Sequence, residues 1–158
     1  MLKIDYDITE IPIRDEGFSS ERLNQYAFYL AQNLKTTSEI FDDKLLKRVD
    51  SNCAVFVKNY KKLLNDLEEN VEIPPAGMWI VDNHFVIEEQ IVKIKKDLPR
   101  KFYHELPKIT NGELKGYPRI YSLALTLIAH LDSHLDLKTI RNFTIAFQET
   151  TPLTSGEI

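Results

Sequence analysis

The densest polar chemistry of the chain lies in one segment, Trp79-Ile80-Val81-Asp82-Asn83-His84-Phe85-Val86-Ile87-Glu88-Glu89-Gln90. Isoleucines at helical spacing through and beyond it place the segment on a helix. On that helix Asp82 and Glu89 are seven residues apart and share a face. Trp79, Asn83, Val86 and Gln90 share another. Glu88 falls between two apolar lines, where a carboxylate must be paired or its pKa rises. Two carboxylates on one helix could do acid–base work. The same residues could instead form a buried polar network that keeps helices in register, the commoner role of buried charge. The expected partner of Glu88 is Arg119.

A second constellation is His130-Leu131-Asp132-Ser133-His134-Leu135-Asp136. Histidines four apart can face one zinc ion from a helix. Two histidines without a glutamate base make an incomplete site. Placement at a helix end, where a cation is favoured, gives the simpler reading, with Asp136 as the next N-cap. No metal is expected. A third lies in Phe102-Tyr103-His104-Glu105-Leu106-Pro107 and Gly116-Tyr117-Pro118-Arg119-Ile120-Tyr121. Tyr117, Arg119 and Tyr121 could hold a sugar or a phosphate, or could staple a loop onto helices. The chain has no phosphate-cradling glycine loop, nucleophile elbow or dinucleotide fingerprint. Carboxylates adjacent on a helix do not show the separation that glycosidic cleavage needs. No catalytic residue and no cofactor is therefore expected.

These residues need helices to position them. Ser19 and Ser20 are good N-caps, and Leu23, Ala27, Leu30 and Leu34 follow at helical spacing. Leu46, Val49, Cys53, Phe56, Tyr60, Leu63 and Leu67 form one apolar stripe of about six turns. Pro74-Pro75 opens a third helix, about 76–97. Its lines Ile80-Ile87-Ile91 and Val81-Phe85-Val92 predict burial on two sides. Residues 99–117 read as a long loop. A fourth helix runs from Pro118 to about Leu131, apolar on nearly every face. A fifth follows Asp136 and ends near Glu149. Pro152-Leu153-Thr154-Ser155-Gly156-Glu157-Ile158 reads as a new N-cap and a first helical turn. The fold expected is all-α, an irregular bundle of about five helices with the third and fourth central. An extended arm covers 1–17. The helical domain covers 18–158 and is expected to be truncated inside that last helix.

Composition sets outer limits. The 158 residues are 43% hydrophobic and 28% charged, the balance of a globular domain. A net charge of −4 gives no positive field for nucleic acid and no polybasic membrane patch. The single cysteine, Cys53, cannot form an internal disulfide, which suits a reducing compartment. The longest nearly apolar run, Ile120 to Leu131, is well short of the ~20 residues a bilayer requires. No secretory h-region precedes Asp15.

Several blocks, in order, resemble the N-terminal region of cyclic β-1,2-glucan synthases, which are large bacterial inner-membrane enzymes. The blocks are Pro75 to Gln90, Asp97-Leu98-Pro99, Glu105-Leu106-Pro107, Gly116-Tyr117-Pro118-Arg119-Ile120-Tyr121, Ile128-Ala129-His130, and Pro152-Leu153-Thr154 with Gly156-Glu157. They cover about residues 70–158. Met78 departs from the family's usual Glu, and His84-Phe85 reverses the commoner order. The resemblance implies a cytosolic, helical accessory or scaffold part of an enzyme that transfers glucose from UDP-glucose into β-1,2-glucan. Its partners would be the remaining domains, with glucan or UDP-glucose met only in the full-length enzyme. The family's transferase motifs have no counterpart here. The alternative is a stand-alone helical protein, either carbohydrate-active through Asp82, Glu88 or Glu89, or purely an interaction module.

Overall fold

A computed structural model describes residues 17–39, 43–131 and 135–158. The arm expected over 1–17 lies, but for Gly17, outside the described residues, and so does His134. The all-α reading holds. Six helices are present among the described residues: α1 (Ser20–Asn33), α2 (Lys44–Glu68), α3 (Pro75–Asp97), α4 (Arg100–Glu105), α5 (Arg119–His130) and α6 (Leu137–Gln148). Two strands of two residues each, β1 (Thr36–Thr37) and β2 (Lys108–Ile109), form the one ladder among the described residues.

The chain divides into two compact units. One contains α1, α5 and α6 with residues 109–115. Here the periodicity read from the sequence is used as expected. Leu23, Ala27, Leu30 and Ala31 of α1 meet Leu123 and Leu127 of α5 and Phe143, Ala146 and Phe147 of α6 in one buried cluster. Full burial of a large apolar side chain contributes ~1.5–3 kcal/mol, so Phe143 and Phe147 weigh most. The caps are the predicted ones. Ser19 Oγ accepts from the Arg22 amide at 3.3 Å. Asp136 accepts from the Thr139 amide at 2.9 Å and from its hydroxyl at 2.7 Å. That pair of bonds, the hydroxyl first, holds the Asp136 carboxyl below the ordinary carboxylate range.

The other unit contains α2, α3 and α4. Asn70, in the left-handed region at φ 57°, turns the chain after α2. Helices α2 and α3 approach closely at Gly77. A Cβ there would stand 2.6 Å from Ile73 Cγ2 and 2.9 Å from Leu63 Cδ2. Cys53 is a half-buried free thiol.

Two expectations are corrected. Helix α3 is not a centrally buried helix, for Gly77 is its one buried residue. Ile80, Ile87 and Ile91 are half-buried, whereas Phe85 is 59% and Val92 66% exposed. Apolar periodicity states which faces can be covered; the unit covers only one of them. Residues 99–117 are also not a plain loop. They contain α4, whose N-cap is Pro99, and β2. A helix of six residues is too short to show a period.

Candidate functional site

Helix α3 carries its polar block largely in solvent. Asp82, Glu88, Glu89 and Gln90 are exposed, and Trp79 is 59% exposed. Asn83 Nδ2 donates to the Trp79 carbonyl one turn back, at 2.8 Å. His84 stacks on Tyr60 of α2 with centroids 4.7 Å apart, and its Nδ1 lies 2.9 Å from the Val81 carbonyl. The burial expected for Glu88 is therefore absent, and with it the need for a buried partner. The structure gathers the block on one helix and leaves its carboxylates exposed.

Arg119 pairs elsewhere. From the start of α5 its Nε donates to Glu157 Oε1 at 2.9 Å. Its Nη2 donates to Glu157 Oε2 at 2.5 Å and to the Pro152 carbonyl at 3.1 Å. The guanidinium also lies 5.7 Å from the Phe147 ring centroid. Glu157 Oε2 accepts from the Thr154 amide at 2.9 Å and its hydroxyl at 3.0 Å. The Glu157 amide donates to the Thr154 carbonyl at 2.9 Å. Glu157 thus reaches back to the N-cap amide, one half of a capping box with Thr154 as N-cap and Glu157 at N3. Both ends of the ion pair are buried, Arg119 5% and Glu157 6% exposed. Burial alone would push the Glu157 carboxyl up. The Arg119 hydrogen bonds and the Thr154 amide outweigh it and hold the group below the ordinary carboxylate range.

His130 closes an aromatic cluster. It is buried and stacks on Phe18 at 3.7 Å, with Tyr26 edge-on at 5.6 Å. Its carbonyl accepts the Phe18 amide at 3.0 Å. This places the imidazole in packing. Among the described residues no group of three His, Cys, Asp or Glu side chains could take a metal ion. Tyr117 and Tyr121 are both half-buried.

A cluster only partly signalled by the sequence lies around α4: Tyr103 and His104 belong to the third constellation, whereas Asp43, Arg100 and Lys108 do not. Asp43, just before α2, meets His104 Nε2 at 2.6 Å through Oδ1, and Arg100 Nη2 donates to its Oδ2. The His104 hydrogen bond is the largest influence and holds the Asp43 carboxyl low; burial opposes it, and the Arg100 hydrogen bond and charge add to the lowering. Lys108 is wholly buried. Its Nζ donates to the Tyr103 carbonyl at 2.5 Å and the Leu106 carbonyl at 2.7 Å, and sits 4.3 Å from the Tyr103 ring centroid. Burial pulls its pKa down, and the charge of Asp43 opposes this. A cation at the C-terminal carbonyls of a short helix is well placed, so Lys108 serves as a cap. A lysine following Leu106-Pro107 gives no periodic or motif signal of such burial.

The first unit has an apolar groove of about 530 Å³ between α5 and α6. The other unit has a smaller one, about 330 Å³, rimmed by Asp43, Lys47, Asp50, Lys95 and Arg100. In it Lys95 pairs with Asp50 at 2.8 Å. No helix of the described residues is long and apolar enough to cross a membrane.

No protein-family model and no solved structure matches the chain. It is 32% identical over 160 aligned residues to the cyclic β-(1,2)-glucan synthase NdvB of Rhizobium meliloti strain 1021. The alignment takes in 99% of this chain and 5% of that enzyme. Identity at this level along nearly the whole chain agrees with the ordered blocks, two of which meet in the Arg119–Glu157 pair. The chain is thus similar, along nearly its whole length, to one short segment of a cyclic β-(1,2)-glucan synthase.

Proposed function

We propose that this chain acts as a non-catalytic helical accessory part of a β-1,2-glucan synthase, on the cytosolic side, through contacts with the rest of that enzyme. The observation that carries the reading is the use to which the shared blocks are put. Arg119 from one block and Thr154 and Glu157 from another are spent on a buried latch. The carboxylates Asp82, Glu88 and Glu89 stand exposed on one helix, Glu88 on a different side from the other two. Such carboxylates lack the water-excluded setting in which an acid and a base are tuned apart. Exposed Phe85 and Val92, seven residues apart on one line of α3, give it an apolar strip of the kind that partner domains cover. UDP-glucose and glucan would be handled by other parts of the enzyme.

The test replaces the matched segment of the Rhizobium meliloti synthase with this chain and measures β-1,2-glucan formation in membranes. The expected result is glucan formation by the chimera, undiminished by Glu88→Gln or Glu89→Gln. The isolated chain should neither incorporate radiolabelled UDP-glucose nor cleave linear β-1,2-glucan. Sugar transfer or cleavage by the isolated chain, lost in either Gln variant, would overturn the reading and make the chain an enzyme.

A further inference from the structure

The groove between α5 and α6 and the turn beside it lie in one unit and complement each other. The groove is lined almost wholly by apolar side chains, Ile128, Ile140 and Ile145 among them. Ile128 and Ile145 are 43% and 47% exposed, an unusual state for isoleucines lining a hollow of this size. At its edge Thr154 and Glu157 make the capping hydrogen bond that opens a helix. Leu153 then stands at N′ and Ile158 at N4, the two positions of a hydrophobic staple. Both of them line the groove. The turn is held in place, because the Glu157 that forms it is buried against Arg119 of α5. Two independent N-terminal helix signals thus coincide, and the residue at N4 already lies on the apolar face. The walls are helices of twelve residues each, about 18 Å long, enough to seat roughly three helical turns.

We propose that the α5–α6 groove is the seat of an amphipathic helix whose first turn is Thr154–Ile158. Its apolar stripe lies against Ile128, Ile140 and Ile145. A carboxylate on its flank would meet Arg141, which also lines the groove. The synthase to which the chain is similar is many times longer, the chain matching 5% of it. The relationship to the synthases enters only as the source of that helix sequence; the accessory role is not used, and the test reads docking alone.

The test extends the chain at Ile158 by about fourteen residues, roughly four turns, taken from those that follow the matched stretch in the Rhizobium meliloti synthase. The unextended chain should bind the dye ANS, and the extension should reduce that signal severalfold while adding helical circular dichroism. Ile145→Glu, at a half-exposed position, should restore dye binding in the extended chain. In a Cys53→Ser background, Ile145→Cys should form disulfides with single cysteines in the extension at positions three and four apart, not at those between. Unchanged dye binding, or trapping without that period, overturns the proposal. So does an unextended dimer in light scattering that Ile145→Glu dissociates, because the groove would then belong to a second copy.

Discussion

Replacing Glu157 by Gln removes one charge from a buried pair and turns one of the two oxygens that accept from Arg119 into a donor. Gln keeps the shape and still accepts at N3 from the Thr154 amide, now 2.9 Å from the carboxylate. What remains is Arg119, 5% exposed, with the Pro152 carbonyl and the Phe147 ring as its other neighbours. Breaking a buried pair from one side costs ~3–5 kcal/mol, and the retained cap places Glu157→Gln near ~3 kcal/mol. Arg119→Leu leaves a buried carboxylate and should cost as much near neutral pH. The loss should be partly relieved in acid, where the carboxyl takes a proton. The double variant Arg119→Leu with Glu157→Gln should fall short of the sum of the singles by ~1–3 kcal/mol. The pH sign follows from the lowered Glu157 pKa. Its folded value lies below the unfolded one, so between them the unfolded chain binds more protons and stability rises with pH. The full contribution is present above the ordinary value of about 4.3 and is lost as pH falls through the folded value. Asp43 and Asp136, also held low, act in the same sense in parent and variant and cancel in the difference. Urea unfolding followed by far-ultraviolet circular dichroism, at pH 7 and again in acid, measures both effects. A Glu157→Gln variant within ~0.5 kcal/mol of the parent at pH 7 would refute the latch. So would a parent–variant gap that widens on acidification.

Two further substitutions test the other unit. Gly77→Ala should destabilise by ~1–3 kcal/mol in urea, because its Cβ would enter the 2.6 and 2.9 Å approaches of Ile73 and Leu63. That is opposite to the ~1 kcal/mol gain that alanine gives in an open helix. Lys108→Met keeps the length of the side chain but leaves the Tyr103 and Leu106 carbonyls without their donor, at an expected ~1–3 kcal/mol. A Lys108→Met chain as stable as the parent would mean that the lysine caps nothing of consequence.

The helices were legible because their signals are local. Ser19 and Asp136 announce α1 and α6 by side-chain caps, and both caps are made as expected. Pro75 at the first turn and the seven-residue apolar stripe of α2 locate the two long helices. The division into two units was not legible. No run of glycine, proline or charge marks the boundaries, and the 109–115 segment joins α1, α5 and α6 only through contacts far apart in sequence. The Asn111 side chain, for example, accepts the Lys35 amide at 2.9 Å and donates to the Asn33 carbonyl at 2.9 Å. Hydrogen bonds of that range leave no period in the sequence. The same limit explains α3. Its two apolar lines are real, but a count of apolar faces does not say how many neighbours the fold supplies.

The sequence marks Glu88 as the carboxylate that must be paired, because it falls between two apolar lines, and offers Arg119 as its partner. The sequence does contain a signal for the true partner. Thr154-Ser155-Gly156-Glu157 is a Thr-x-x-Glu box, and such a glutamate is directed back toward its own N-cap. A carboxylate already tied to a backbone amide is pre-oriented, so less side-chain entropy is lost when an arginine joins it. Exposed Glu88 on α3 has no such restraint and would have to be both ordered and desolvated. The energetics of these two sequence positions therefore favour Glu157 as the partner, provided the two segments can meet. What the sequence lacked was that meeting. Thr151 Oγ1 donating to the Ala31 carbonyl at 3.0 Å, and Leu153 resting on the α1–α5–α6 core, bring the segment alongside α5. The latch thus depends on the core, and the groove edge depends on the latch. A substitution at Arg119 should therefore disturb the α5–α6 groove through the Thr154–Ile158 turn, even though Arg119 does not line it.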